Sequence, residues 1–308
     1  MSAPEPPLQA FKTRWNALSA NLRGAVWIMV AALLLTAMGG LVKQIGTGLE
    51  TVQVVFFRSL IGAVLLLPFM LRSGLKGFKT KRPFMHSART IVGVTGMFCV
   101  FYAFAHLPLA ETVAIVFSRP LFAVALAVPF LGEVVGWRRV TAAIVGFIGV
   151  LIMVRPGTAA FDPASLYAVT AAFTAGTIAI LIKKLSATEA GTAIVMWFSV
   201  GSAVITFVPT LMVWIWPTPL QWGLLALIGV IGVIGQTAMT WGFSTGETSF
   251  VAPFDYSRLI FAAIIGLFVF SEIPDTWAII GAMIIVSSGY YIARREIALS
   301  RARKRADQ

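Results

Sequence analysis

Phe117-Ser118-Arg119-Pro120-Leu121-Phe122-Ala123 returns, with changes, as Tyr256-Ser257-Arg258-Leu259-Ile260-Phe261-Ala262. Each copy places an arginine near the centre of a long apolar segment. An arginine at bilayer depth costs about 2.5–3.5 kcal/mol on insertion scales. A chain that does this twice, at equivalent places, points to a polar site between two related halves.

Outward from these phrases the repeat continues. A shift of 139 residues takes Arg119 to Arg258, Glu133 to Glu272 and Arg155 to Arg294. Glu111-Thr112 returns as Glu247-Thr248 at a shift of 136, and Phe57 and Pro68 return as Phe198 and Pro209 at 141. Between Glu-Thr and Ser-Arg the second copy is therefore 3 residues longer, and that stretch holds Pro253 and Asp255. A proline inside a helix frees the carbonyl four residues back, Val116 for Pro120 and Ser249 for Pro253. Unpaired backbone is tolerated at membrane depth only where protein or water satisfies it. Spans four and nine are thus either proline-kinked helices or broken helices facing a cavity.

The 308 residues are 58% hydrophobic and 12% charged, against about 25% charged in a soluble domain. Apolar runs of about 20 residues recur, the signature of membrane-spanning helices. The alternating segments of a β-barrel are missing. Ten spans are predicted, at 24–45, 51–71, 84–106, 109–131, 139–155, 164–182, 190–213, 220–244, 248–271 and 276–293. Five spans per copy is an odd number, so the copies must run in opposite orientations, an arrangement common among secondary transporters. The fold class is all-α, a polytopic membrane protein of ten transmembrane helices in two inverted five-helix repeats. Its parts are residues 1–23, the first repeat 24–155, the second repeat 164–293 and a basic tail 294–308.

The net charge of +12 does not indicate nucleic acid, because the basic residues sit in short loops beside spans. The 72–83 loop holds Arg72, Lys76, Lys79, Lys81 and Arg82, followed by Arg138-Arg139, Lys183-Lys184 and the tail. The positive-inside rule makes that side cytosolic, with both termini. The Gly246-Glu247 loop carries no basic residue and gives no orientation signal. The first span is too long for a signal-peptide core. In residues 1–23, Leu8, Phe11, Trp15, Leu18 and Leu22 fall at helical spacing, which suits either an interfacial helix or a disordered leader. Cys99 is the one cysteine, so no internal disulfide forms. No metal-spaced Cys/His cluster, nucleotide motif or catalytic set is visible, so no metal and no cofactor are expected. Monomer and homodimer are both open.

Inside the membrane zone four arginines (Arg58, Arg89, Arg119, Arg258) face one clear acid, Asp255. Asp255 and Arg258 are three apart on one helix and can pair. The other three arginines have no obvious acidic partner in the sequence. This excess suits a substrate carboxylate or phosphate, which arginine binds bidentately. The alternative is that they bind helix C-terminal carbonyls or snorkel. Tyr102, Trp241 and Tyr256, with Phe57 and Trp197, either stack on a planar substrate or pack against helices and lipid. The candidate substrate-binding set is Arg119, Arg258, Asp255, Tyr256, Tyr102, Trp241 and Arg58, at the midplane between spans three, four, eight and nine. Glu111 and Glu247 read as helix-dipole partners, Glu133 and Glu272 as interfacial or gate residues, and Lys43 as a snorkelling lysine. Gly229, Gly232 and Gly235 mark close helix packing.

The chain resembles the drug/metabolite transporter superfamily, in its EamA-domain branch. The resemblance covers nearly the whole chain. It is carried by Lys43, Phe57-Arg58, Tyr102-Ala103 before Leu107-Pro108-Leu109-Ala110, Pro120-Leu121-Phe122, Leu131-Gly132-Glu133, and Gly146 with Gly149. Val251-Ala252-Pro253-Phe254-Asp255-Tyr256 and Gly289-Tyr290-Tyr291 through Arg294-Arg295-Glu296 look like a bacterial subgroup containing S-adenosylmethionine and riboflavin uptake carriers. The resemblance implies a carrier, not an enzyme, that moves a small organic metabolite. Uptake of a nucleoside-like or flavin-like compound is the sharper expectation. Export of amino acids or related metabolites is the alternative, and a membrane scaffold or intramembrane enzyme is the reading from another class.

Overall fold

The computed structural model describes residues 18–73, 80, 82–131, 137–185, 187–189, 191–246 and 248–306. Among them every regular element is helical. The helices are α1 (Ala20–Ile45), α2 (Thr51–Ser73), α3 (Pro83–His106), α4a (Leu109–Val116), α4b (Arg119–Leu131) and α5 (Trp137–Val154). The second half holds α6 (Ala164–Leu185), α7 (Gly191–Met212), α8 (Pro219–Thr245), α9a (Thr248–Val251), α9b (Ser257–Phe270) and α10 (Thr276–Ala306). Among the described residues nine helical stretches are long and apolar enough to cross a membrane, and Val140–Val154 in α5 is a shorter apolar helix. This makes ten helices in two repeats, at boundaries within a few residues of the predicted ones except at the end of α10, which runs past the predicted 293.

Local chemistry fixes several ends. Ser19 accepts a hydrogen bond from the Leu22 amide and caps α1. Thr218 and Gln221 form a reciprocal capping box at α8, with Pro219 in the first turn. The interfacial helix expected before α1 lies outside the described residues, as do Glu133 and Glu247. Helix α10 runs unbroken to Ala306, through the start of the basic tail.

The packing obeys an exchange that adds five to each helix number. The α1–α8 contact is matched by α6–α3, α1–α9 by α6–α4, and α2–α8 by α7–α3. The pairs α2–α7, α4–α9 and α5–α10 map onto themselves. The exchange is incomplete: α1 packs on α3, α2 on α3 and α4 on both α5 and α10, whereas α6–α8, α7–α8, α9–α10 and α9–α5 make no comparable contact among the described residues. Gly39 makes the α1–α3 approach close, since a Cβ there would lie 2.9 Å from the Phe104 ring.

The proline question resolves as breaks. Span four leaves its helix at Phe117 and Ser118 and restarts at Arg119. There the Phe117 amide is shared between the Val113 and Ala114 carbonyls, and the buried Ser118 hydroxyl donates to the Ile115 carbonyl. Span nine passes through a 3-10 turn, Ala252–Tyr256, before α9b. At the first break the bonding thus passes into turn contacts, with the Ser118 amide and hydroxyl both donating to the Ile115 carbonyl.

Candidate functional site

Both breaks bring an arginine to the start of a helix at mid-depth, and Asp255 sits between them. Its Oδ2 accepts from Arg119 Nη2 at 2.9 Å, across 136 residues of sequence. Its Oδ1 lies 2.7 Å from Arg258 Nε, a close ion pair whose N–H is not aligned as a hydrogen bond. The Asp255 side chain is 6% exposed, against 17% for Arg258 and 34% for Arg119. Arg258 Nη2 also reaches Met239 Sδ at 3.5 Å. Arg119 therefore has the acidic partner that its sequence neighbourhood lacks, and the sequence expectation is corrected there. A carboxylate within one helix step of Arg258 still has an oxygen free to cross to the other repeat.

A cavity of about 280 Å³ lies above this group, bounded by α1, α2, α3, α4, α6, α7, α8 and α9. Arg58, Arg119 and Arg258 line it, and among the described residues no carboxylate does. Phe101, Phe104, Phe117 and Phe198 supply aromatic wall. Helices α1, α2, α6 and α7 add lining to that of the four spans expected from sequence. A recess of about 130 Å³ adjoins on the cytosolic side, where Arg119, Asp255, Tyr256, Tyr290 and Arg294 meet. Arg119 borders both spaces, so the Arg119–Asp255 bridge stands between them. A larger apolar groove of about 570 Å³ runs between α5 and α10 and contains none of the candidate residues. It lies among the exposed apolar side chains of two spanning helices, where lipid is the expected neighbour.

The structure brings Arg58, Arg119, Arg258, Asp255 and Tyr256 to these two spaces and sets two candidates apart. The Tyr102 ring centroid is 4.1 Å from Tyr167 and 4.0 Å from His106, and Tyr102 lines neither space. Trp241 is 50% exposed and meets Trp27 edge-on. Arg89 lies with its guanidinium over the Phe198 ring, 4.3 Å from the centroid, next to the cavity but not in its wall. Phe57 packs among Phe56, Trp214 and Trp222, and Trp197 stacks on His86.

The outer edge is held by charges that sequence reading placed at the interface. Lys43 Nζ lies 2.7 Å from Glu272 Oε1 and donates to the Leu107 carbonyl at 2.6 Å. Glu272 Oε2 accepts from the Leu109 amide at 2.8 Å. One ion pair thus ties α1, the α3–α4 turn and the end of α9b together on the outer side. Nearby Arg155 pairs with Asp275. The Ala278 amide above all, and then Arg155, holds the Asp275 carboxyl below its ordinary range. The repeat hints at Glu272 through its match to Glu133, but no sequence signal joins it to Lys43.

The EamA-like transporter family matches residues 22–155 and 162–294, one copy in each half. The S-adenosylmethionine uptake transporter of Rickettsia felis is 32% identical over 281 residues, covering 91% of this chain and 96% of that one. The pseudopaline exporter of Pseudomonas aeruginosa is 33% identical over 289 residues, covering 91% and 97%. The riboflavin transporter of Vibrio cholerae is 30% identical over 285 residues, covering 91% and 96%. A crystal structure at 18% identity superposes with a TM-score of 0.57 over 90% of this chain and 98% of its own, and supports the fold alone. Ten helices, a doubled domain and these relatives describe a multi-pass bacterial inner-membrane transporter of a small metabolite. The chain belongs to the EamA-like transporter family.

Proposed function

We propose that this protein is a carrier of a small organic metabolite bearing a negative group, working by alternating access around the central cavity. The observation that carries this reading is the lining: among the described residues, three arginines and no carboxylate surround about 280 Å³ of space. Guanidiniums recognise carboxylates and phosphates through paired N–H donors. The aromatic wall suits an apolar or planar body on the same molecule. Alternating access is supported by the exchange of the main interhelical contacts between the two halves and by its breaks, the α1–α3 contact among them. With the Lys43–Glu272 pair formed, the outer side is tied shut; the opposite state would release this contact and close α6 on α8.

Uptake of a nucleoside-like or flavin-like compound is the direction we favour, since relatives named for S-adenosylmethionine uptake and riboflavin transport cover nearly the whole chain. Export of amino acids or related metabolites is the second reading, favoured by the similarity to a protein named as a pseudopaline exporter. Purified protein in lipid vesicles, offered labelled S-adenosylmethionine, riboflavin and a panel of amino acids, tests both. Saturable, protein-dependent flux with trans-stimulation by unlabelled compound is expected for at least one. Flux that never saturates would replace the carrier with a channel, and no protein-dependent flux of any compound would remove the proposed substrate range.

A further inference from the structure

We propose that Arg58, and not the Arg119–Arg258 pair, is the anchor for a carboxylate on the transported molecule. This rests on the carrier reading above and sharpens it. The two arginines marked by the repeat already surround Asp255, one on each carboxylate oxygen. Arg58 is in a different state. Among the described residues it makes no hydrogen bond and no ion pair, and its Nε is buried without a partner. A guanidinium keeps its charge in a protein, so this is a fixed cation in the cavity wall without a counter-ion.

The two structural explanations for such an arginine do not hold at this position. Arg58 lies seven residues into α2, about 10 Å along a helix from its outer end, and its side chain lines the cavity instead of the outer surface. It binds no helix C-terminal carbonyl among the described residues, and it sits nearer the N-terminal end of α2, where a helix dipole favours anions. The helix opposite leaves room for it. Gly232 of α8 has no side chain, and a Cβ there would stand 3.4 Å from Arg58 Nε and 3.2 Å from Met38 Sδ. The fork is therefore lodged against bare α8 backbone, with Phe101, Phe104 and Met97 in the same cavity wall. One unmatched planar fork with two parallel donors fits one planar carboxylate, and a single negative charge balances a single guanidinium. A doubly charged phosphate would leave excess charge in a mostly apolar wall.

The stability of the unliganded protein separates the two kinds of arginine. Removing an unpaired buried cation relieves a cost, whereas removing one partner of a buried ion group leaves another charge exposed to the loss. In detergent, Arg58→Gln should raise Tm or leave it unchanged, and Arg258→Gln should lower it by several degrees. A fall for Arg58→Gln comparable to that of Arg258→Gln would make Arg58 a structural residue and overturn the proposal. The same samples are then titrated with phenylacetate, its neutral amide phenylacetamide, and phenyl phosphate at matched ionic strength. Phenylacetate alone should stabilise the wild type, with affinity roughly tenfold to a hundredfold weaker in Arg58→Gln. Equal response to the amide, an unchanged response in Arg58→Gln, or a wild type indifferent to phenylacetate overturns the anchor. A response to phenyl phosphate but not phenylacetate overturns the carboxylate class. Failure of the carrier reading looks different: it is loss of saturable flux in vesicles for every compound, whatever the binding result. Saturable flux confined to uncharged compounds such as riboflavin would leave the carrier standing and remove the anchor.

Discussion

The two broken helices carry the same phrase but are not equivalent. Span four stops for two residues and resumes at Arg119, while span nine takes a five-residue 3-10 turn before α9b. The longer break lies where the second repeat is 3 residues longer, and it is the one that carries an acid. Both breaks carry an arginine; the longer one alone carries a carboxylate, and that carboxylate pairs with both arginines. An inverted repeat can thus preserve its helix packing while its charge chemistry becomes one-sided. The asymmetry also explains why the cavity faces three arginines with no acid: Asp255 lies on the recess side of the Arg119 bridge.

The sharpest way to break this comparison is to remove the shared acid. Asp255→Asn leaves two guanidiniums facing each other without compensation, and breaking a buried pair in this way costs about 3–5 kcal/mol. Thermal unfolding and the yield of monodisperse protein in detergent should both fall strongly. Wild-type stability in Asp255→Asn would show that the bridge between the breaks contributes nothing.

A second test asks whether the two arginines depend equally on that acid. Arg258 is half as exposed as Arg119 and shares its helix with Asp255. Losing a hydrogen bond to a charged group costs about 1.5–3 kcal/mol, and exposure brings the effect toward the lower end. Arg258→Gln should therefore lose more stability than Arg119→Gln in parallel denaturation series, and equal losses would restore the symmetry that the lengths of the breaks deny.

The smallest expected effect lies beyond the end of span nine, at the exposed Asp275. Its carboxyl is held below the ordinary range by the Ala278 amide first and Arg155 second. A depressed acid contributes its stability in full above the ordinary aspartate pKa of about 3.9 and loses it as pH falls through the folded-state value. The side chain is 46% exposed, so solvent screening keeps the contribution below about 1 kcal/mol. Unfolding midpoints of wild type and Asp275→Ala should differ slightly at pH 6 to 7 and converge as the pH drops below about 4. A gap that widens on acidification would reverse the sign and remove the assignment.

Sequence alone determined the all-helical membrane class, the ten spans, the inverted repeat and the two places where a span is kinked or broken; the structure decided for breaks. Each of these is local or periodic: apolar run length, loop charge, a repeated phrase with an arginine in it, a proline inside a span. The Asp255–Arg258 pair is also local, three residues on one turn. What only the tertiary structure decided is which side of each helix faces the centre. In a bilayer both lipid and protein neighbours are apolar, so a spanning helix shows little amphipathic contrast and its rotation is not written in its residues. Hence Tyr102 and Trp241, plausible from sequence as stacking partners, turn to Tyr167, His106 and Trp27. For the same reason Arg58, one of several buried arginines in the sequence, is distinguished by the structure as the cavity arginine that nothing pairs among the described residues. The Asp255 reach to Arg119 and the Lys43 reach to Glu272 are likewise contacts between repeats, made by helices that meet only once the two halves pack.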